Sequence, residues 1–319
     1  MRRSTTIACL MLLTAACRDP DPASTAPLDS GFVDEGTSNS SQESGAPWEG
    51  TAFSGEWRGV MTVTFTAAHP LNDGDAVGIA GGYRNAEVGW DGFEDLYSPV
   101  AYQLAFPTPP EQADTLVPAE ALVPYDWGSP NDWEEAGQGM KLRLDEGGPE
   151  MQACLLHAGN FPVYQSSAAM GVDPSCNPSA EAWVPGERYD VVLYGGELFE
   201  DNVLLNRVDT PPALTVSAPA VDTFNAPLDS SQDLAISWDA SDDPNTRVII
   251  RVVDALGVVI SVHAADDGQF TIPAAELAAL EPGPIDLVVT RERLDRVQFV
   301  GGGLSVLLRH ERWGFFDLF

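Results

Sequence analysis

Leu234-Ala-Ile-Ser-Trp238, Arg247-Val-Ile-Ile-Arg-Val-Val253 and Val258-Val-Ile-Ser-Val-His263 are short runs rich in β-branched residues. Leu214–Val216, Phe270–Ile272, Ile285–Arg291 and Leu304–Leu308 are four more. Runs of this kind, separated by Gly, Pro, Asp and Ser, predict strands because branched side chains fit the pleated, half-buried surface of a sheet. About seven of them within about 100 residues predict a β-sandwich. Asp267-Gly268 predicts a hairpin turn between two of the strands, and Pro273–Glu281 predicts one short helical turn.

Upstream the pattern is similar but looser. Met61, Val63 and Phe65 alternate with Thr62, Thr64 and Thr66, and Val100, Tyr102, Leu104 and Phe106 repeat the alternation. Period-2 alternation predicts strands with one buried face. Further strands are expected at 140–144, 151–157, 189–194 and 198–208. No segment carries a helix-period apolar stripe over three turns, and 29 Gly with 25 Pro fit short strands joined by many turns. Thr210-Pro211-Pro212 reads as a boundary. The fold class expected is therefore all-β: two β-sandwich-like domains, residues 51–209 and 210–319.

Within 211–310, Leu234-Ala-Ile236-Ser-Trp238, Arg247-Val-Ile-Ile-Arg-Val252 and Leu280-Glu-Pro282-Gly283-Pro-Ile285-Asp-Leu287 together resemble the fibronectin type III arrangement. That family places a Trp on the second strand and a Leu-x-Pro-Gly turn before an inward aromatic. The resemblance implies an immunoglobulin-like sandwich, although Ile285 stands where the family has Tyr. Trp183-Val-Pro185-Gly186-Glu-Arg-Tyr189-Asp-Val191 echoes the same turn in the first domain, with the Tyr present.

The first 17 residues are of another kind. Arg2 and Arg3 precede an apolar core at Ile7–Leu13, and Thr14-Ala15-Ala16 sets small residues directly before Cys17. The stretch is too short to span a bilayer and has the layout of an export signal. It resembles the lipobox of bacterial lipoproteins, with Thr14 where the family favours Leu. The resemblance implies cleavage before Cys17 and acylation of that residue. It implies an outer-membrane lipoprotein of the cell envelope, periplasmic or surface-exposed, held to a membrane by its N-terminal lipid. Residues 18–50, dominated by Pro, Ser, Asp, Glu and Gly, form an acidic linker with too few apolar residues for a core, and disorder is expected there. As a coil its 33 residues would span roughly 32 Å, and extended about 110 Å.

Past Cys17 the chain keeps 14 of its 16 basic residues and all 48 acidic ones, a net charge of 14 − 48 = −34. Phosphate binding needs neutralising cations, so nucleic acid is excluded as a partner. A polybasic contact with lipid is excluded likewise. Cys154 and Cys176 form an even pair in an exported chain and are expected to be disulfide-bonded.

Motifs for catalysis are missing: the sequence has no GxSxG, HExxH, P-loop or GxGxxG. The four histidines, His69, His157, His263 and His310, are scattered. Asn72-Asp73-Gly74-Asp75 offers oxygen ligands for Ca²⁺ through Asp73 and Asp75, as does Asp242-Asp243 with Asn245, although both have the composition of ordinary turns. No other cofactor is expected. Carboxylate pairs for a glycan hydrolase, the alternative to a binding role, would come from Glu94 with Asp95 or Glu134 with Glu135. Tyr83, Trp90, Phe93, Tyr97, Tyr125, Trp127 and Trp133 fall in a stretch rich in Gly, Pro and Asp. Such rings suit sugar faces, so a glycan or an envelope protein is the expected partner; packing beneath long loops is the competing reading of the same rings.

Overall fold

The computed structural model describes residues 56–67, 74–85, 115–117, 133–135, 137, 139–144, 149–158, 161–166, 176, 179–196, 200–221, 224–257 and 259–319. All of them belong to one compact unit spanning residues 45–319. Strand dominates, as expected: β1 is Trp57–Ala67, β2 Ala76–Asn85, β3 Thr115–Val117 and β4 Trp133–Glu134. Next come β5 Gly139–Arg143, β6 Glu150–Ala158, β7 Phe161–Gln165, β8 Arg188–Tyr194 and β9 Asn202–Asp209. The C-terminal set is β10 Val216–Ala218, β11 Ala226–Leu228, β12 Leu234–Trp238, β13 Thr246–Asp254, β14 Val259–Ala264 and β15 Gln269–Ile272. A single helical turn, α1 Ala274–Leu277, precedes the two longest strands, β16 Gly283–Phe299 and β17 Gly302–Leu318. Residues 100–106, expected as a strand, lie outside the described residues.

The organising feature is the β16–β17 hairpin, 17 residues on each side. Its turn is Val300-Gly301, with Gly301 at φ +102°, a conformation that glycine adopts without steric cost. The adjoining Gly302 lies so close to the Trp57 backbone that a Cβ would collide with it. Sequence patterning ends these strands early, at Arg291 and Leu308, because a run such as Thr290-Arg-Glu-Arg-Leu-Asp-Arg296 reads as solvated. In the fold every residue of that run pairs with β17.

The large sheet runs in the order β3-β14-β13-β16-β17-β1-β2-β7-β6-β5-β8-β9, and β10-β12-β15 forms a second, smaller sheet. The ladder passes through both halves of the sequence without a break: β1 of the first half pairs in parallel with β17 of the second. Two hydrophobic cores result. One gathers Met61, Val63, Tyr83, Met140, Leu142, Tyr164, Tyr189, Leu193, Val297, Phe299 and Leu304. Around it the sheet curls until β9 lies beside the far end of β16. There the Asp209 N–H donates to Asp295 Oδ2 at 2.7 Å, and the Val300 N–H to Asn202 Oδ1 at 3.4 Å. The other core packs the small sheet on the large one and holds Ile236, Trp238, Ile250, Val252, Ile272, Leu277, Leu287 and Val289.

One turn differs in role from its sequence reading. Asp267-Gly268 makes no hairpin, because β14 pairs with β13 while β15 pairs with β12, so the turn carries the chain from one sheet to the other. Its Gly268 carbonyl accepts the Trp238 N–H at 2.9 Å. Thr210-Pro211-Pro212, the expected boundary, is hydrogen-bonded to the 184–187 turn. Thr210 Oγ1 donates to the Val184 carbonyl at 2.6 Å and accepts the Glu187 N–H at 3.1 Å, and the Pro211 carbonyl accepts the Gly186 N–H. The echoed turn of the first half does form a tyrosine corner: buried Tyr189 donates its hydroxyl to the Ala182 carbonyl at 2.8 Å and accepts the Val184 N–H at 2.8 Å.

Candidate functional site

Alternation along β16 explains where the charges go. Odd positions face the cores, and they read Ile285, Leu287, Val289, then Arg291, Arg293, Asp295, then Val297, Phe299. The first three belong to the C-terminal core and the last two to the N-terminal one. Between them lies a belt of charge. On β17, His310 stands opposite Arg291 and Leu308 opposite Arg293.

Arg291 is almost wholly buried. Its Nε donates to Asp266 Oδ2 at 2.7 Å, and its two terminal nitrogens reach the carbonyls of Ala213 and Asp239. Asp266 also accepts from Trp238 Nε1 at 2.9 Å and from Thr246 Oγ1 at 2.9 Å, so one carboxylate organises the edge of the C-terminal core. Arg293 meets three carboxylates: Asp209 at the end of β9, Asp243 in the β12–β13 loop, and Asp295 on its own strand. Burial opposes the Arg293 charge, but Asp295, Asp243 and Asp209 outweigh it and raise its pKa. Burial also raises Asp295, against the pull of Arg293. One guanidinium thus ties together strands from both cores. Burial, with Arg312 and Arg291 nearby, lowers His310 to about 4, and its ring meets Phe65 edge-on at 4.9 Å.

The opposite face of the same strands carries a second network. Glu292 accepts from Arg247 Nε at 2.5 Å and from Arg309 Nε at 3.0 Å, and Glu311 accepts from Arg251 at 3.3 Å and from Trp313 Nε1 at 3.2 Å. Buried charges require partners of this sort. The signal in the sequence is the spacing: Arg247 and Arg251, Arg291 and Arg293, and Arg309 and Glu311 each share one strand face.

Beside the belt opens a groove of about 450 Å³, lined by Gly186, Glu187, Arg188, Asp209, Thr210, Pro212, Asp243 and Arg293. Arg188 clasps Asp209 through two nitrogens. Asp209 and Asp243 are engaged there as ion-pair partners of Arg188 and Arg293, while Glu187 lies exposed on the lining. These ion pairs fasten the two cores together.

Of the aromatic residues expected at a binding face, Tyr83 and Trp133 are among the described residues. Tyr83 is buried in the N-terminal core, edge-on to Tyr164 at 5.6 Å and to Phe299 at 6.4 Å, because β2 turns it inward; burial raises its pKa well above the ordinary value. It therefore cannot stack on a ligand. Trp133 lies on β4, in register with Arg84 of β2. Trp90, Phe93, Tyr97, Tyr125 and Trp127 lie outside the described residues, as do Cys17, Asp73, Glu94, Asp95 and His69. Asp75 is exposed at the head of β2, Glu134 is half-buried and Glu135 exposed. Asp243 serves Arg293 and accepts the Asn245 N–H at 2.9 Å, a turn rather than a cation loop. Among the described residues no three His, Cys, Asp or Glu side chains cluster in a way that would hold a metal ion. Cys154 and Cys176 are disulfide-bonded, with Cα atoms 5.6 Å apart. Among the described residues no helix is long and apolar enough to cross a membrane.

No family model and no curated protein matches the chain. Among the solved structures that match, two share 14% identity with this chain. One is described as a Ca²⁺-stabilized adhesin that helps an Antarctic bacterium reach out and bind ice; it covers 82% of this chain and 49% of its own, with a TM-score of 0.19. The other concerns host cell surface retention of a 1.5-MDa bacterial ice-binding adhesin, with coverages of 83% and 66% and a TM-score of 0.17. The chain thus spans about half to two thirds of the solved chains it matches. TM-scores this low leave the likeness without bearing on what this chain binds.

Proposed function

We propose that the protein is an exported lipoprotein of the cell envelope, anchored through acylated Cys17, whose β-scaffold has a binding or structural role toward a glycan or an envelope protein. The observation that carries the reading is the Cys154–Cys176 bond. A disulfide of this kind persists in an oxidising compartment and is rare in the cytosol, which agrees with the export layout of Arg2 to Cys17. The buried ion-pair belt supports a scaffold role, since it joins both cores into one body on which binding loops can be displayed.

Two measurements test the halves of the proposal. Cys17→Ser should move the protein from the membrane fraction to the soluble one or stall the precursor; unchanged partition, with no acyl mass on the mature N-terminus, would refute the anchor. A glycan and envelope-protein array probed with the intact mature chain should show at least one saturable ligand. An array without saturable binding, alongside turnover of a glycan substrate, would replace the binding role with a hydrolytic one.

A further inference from the structure

Near its end, the outer face of β17 carries aromatic side chains that belong to neither core. Phe316 and Leu318 point into the C-terminal core. By strand alternation Trp313, Phe315 and Asp317 point the other way. The rings of Trp313 and Phe315 lie side by side, 6.5 Å between centroids and 30° between planes. Both residues are half-buried, and Asp317 is exposed. A third ring joins from another segment: Phe224, 56% exposed, lies 5.4 Å from Phe315.

Phe224 reaches that face through a local backbone device. Ala226 and Leu228 of β11 pack on the C-terminal core. Plain alternation would send Phe224 inward with them. Asn225 intervenes at φ +55°, and among the described residues it is the one non-glycine with a positive φ. Asn tolerates the left-handed region better than most residues. The reversal at Asn225 delivers Phe224 to the opposite face, against Phe315. Exposing a ring that a regular strand would have buried forfeits apolar burial. Strained backbone of this kind clusters at functional positions.

We propose that Trp313, Phe315 and Phe224 form a stacking platform for a neutral, β-1,4-linked glycan, with Asp317 accepting hydrogen bonds from its hydroxyls; this rests on the glycan half of the function proposed above. The backbone here does not suit a peptide. At residues 316–318, β17 pairs with β16 on one side and with β11 on the other, so it offers no free edge for strand addition. Pro284 and Pro227 flank Asp317 in those two ladders, and both are exposed. Ring and proline surface therefore lies beside a carboxylate, which only accepts hydrogen bonds. A pyranose whose substituents are all equatorial has the matching chemistry, C–H groups on its faces and O–H donors around its rim. Trp313 to Asp317 spans about 13 Å along the strand, which suits an extended chain better than a single sugar. The formal net charge of −32 turns away uronic-acid and sulfated glycans.

The test is calorimetric titration of the intact mature chain with cellohexaose and chitohexaose, with hexagalacturonate as the acidic control. At least one neutral hexaose should bind saturably, and the acidic one should not. Phe224→Ala should weaken that binding by about tenfold, and Phe224→Trp, which restores a ring, should hold it within about threefold. Phe224 is exposed, so both variants should keep the wild-type melting temperature, which is measured in parallel. Neutral-hexaose binding that is unchanged in folded Phe224→Ala, or matched by the acidic control, overturns the platform and leaves the glycan role standing. A Phe224→Ala variant whose only loss is self-association, or binding of a proline-rich peptide, overturns it too. Binding of neither neutral hexaose at millimolar concentration also overturns the platform, and the glycan role falls with it only when the array shows no saturable glycan.

Discussion

Replacing Glu292 by Gln should be among the most damaging single changes in the molecule. The carboxylate is 1% exposed and lies between Arg247 and Arg309, each bonded to a different oxygen. The amide keeps the volume but removes the anion, leaving two guanidinium groups facing each other across a site closed to water. Removing one member of a buried ion pair costs about 3–5 kcal/mol, because the remaining charge stays desolvated. In a domain of this size each kcal/mol moves the melting temperature by about 2–4 °C, so a fall of about 10 °C is expected. Burial alone would raise the Glu292 pKa, but Arg247 and Arg309 together lower it. Its contribution is therefore present above the ordinary carboxylate range and is lost as pH falls through the depressed value. Calorimetry at pH 7 and at successively lower pH should show the gap between wild type and variant narrowing with acid. Arg247→Met/Glu292→Leu/Arg309→Met, which removes every charge of the trio, should recover most of the loss. A Glu292→Gln variant within 1 °C of wild type, or a triple variant no more stable than the single one, would refute the reasoning.

Two further outcomes follow from burial. Trp238→Ala should cost about 3–5 kcal/mol in urea unfolding, since the indole is buried in the C-terminal core and its N–H is bonded to Asp266; a cost under about 1 kcal/mol would show that the ring is not a core element. His263 and His310 are both held at about 4 by burial, His263 also by Arg247 and His310 also by Arg312. The unfolded chain therefore takes up protons first, and stability should decline as pH drops from about 6.5 to about 4, by about 1.4 kcal/mol per pH unit for each imidazole. Replacing both by Gln should flatten that slope in urea titrations, and an unchanged slope would assign the acid sensitivity to other groups.

The class of the fold was legible because period-2 alternation survives in single segments: Met61, Val63 and Phe65, or Leu234, Ile236 and Trp238, point to one side whatever their partners are. The tyrosine corner was legible for a related reason, since Pro185-Gly186 and Tyr189 act within nine residues. The belt was not. Arg291, Glu292 and Arg293 carry the composition of a solvated turn, and only pairing with β17, β13 and the distant Asp209, Asp243 and Asp266 makes them interior. Those partners lie 25 to 84 residues away in sequence, beyond the reach of local pattern. Tyr83 was misassigned for the converse reason: its neighbours resemble a loop, while its register on β2 faces the core.

Lys141 is the single lysine of the chain. Its ammonium is clasped by both oxygens of Glu150 and lies 5.2 Å from the centre of the Tyr194 ring, with its side chain 11% exposed. The folded protein therefore withholds its one primary side-chain amine. Aldehydes and activated esters, which couple proteins through lysine, find no reactive side-chain amine on its surface, and a lysine-specific protease has one cleavage site in the entire sequence. That site lies in β5, between β6 and β8. Its cutting would report a single event, the detachment of a central strand, which makes the molecule its own probe of how the N-terminal core comes apart.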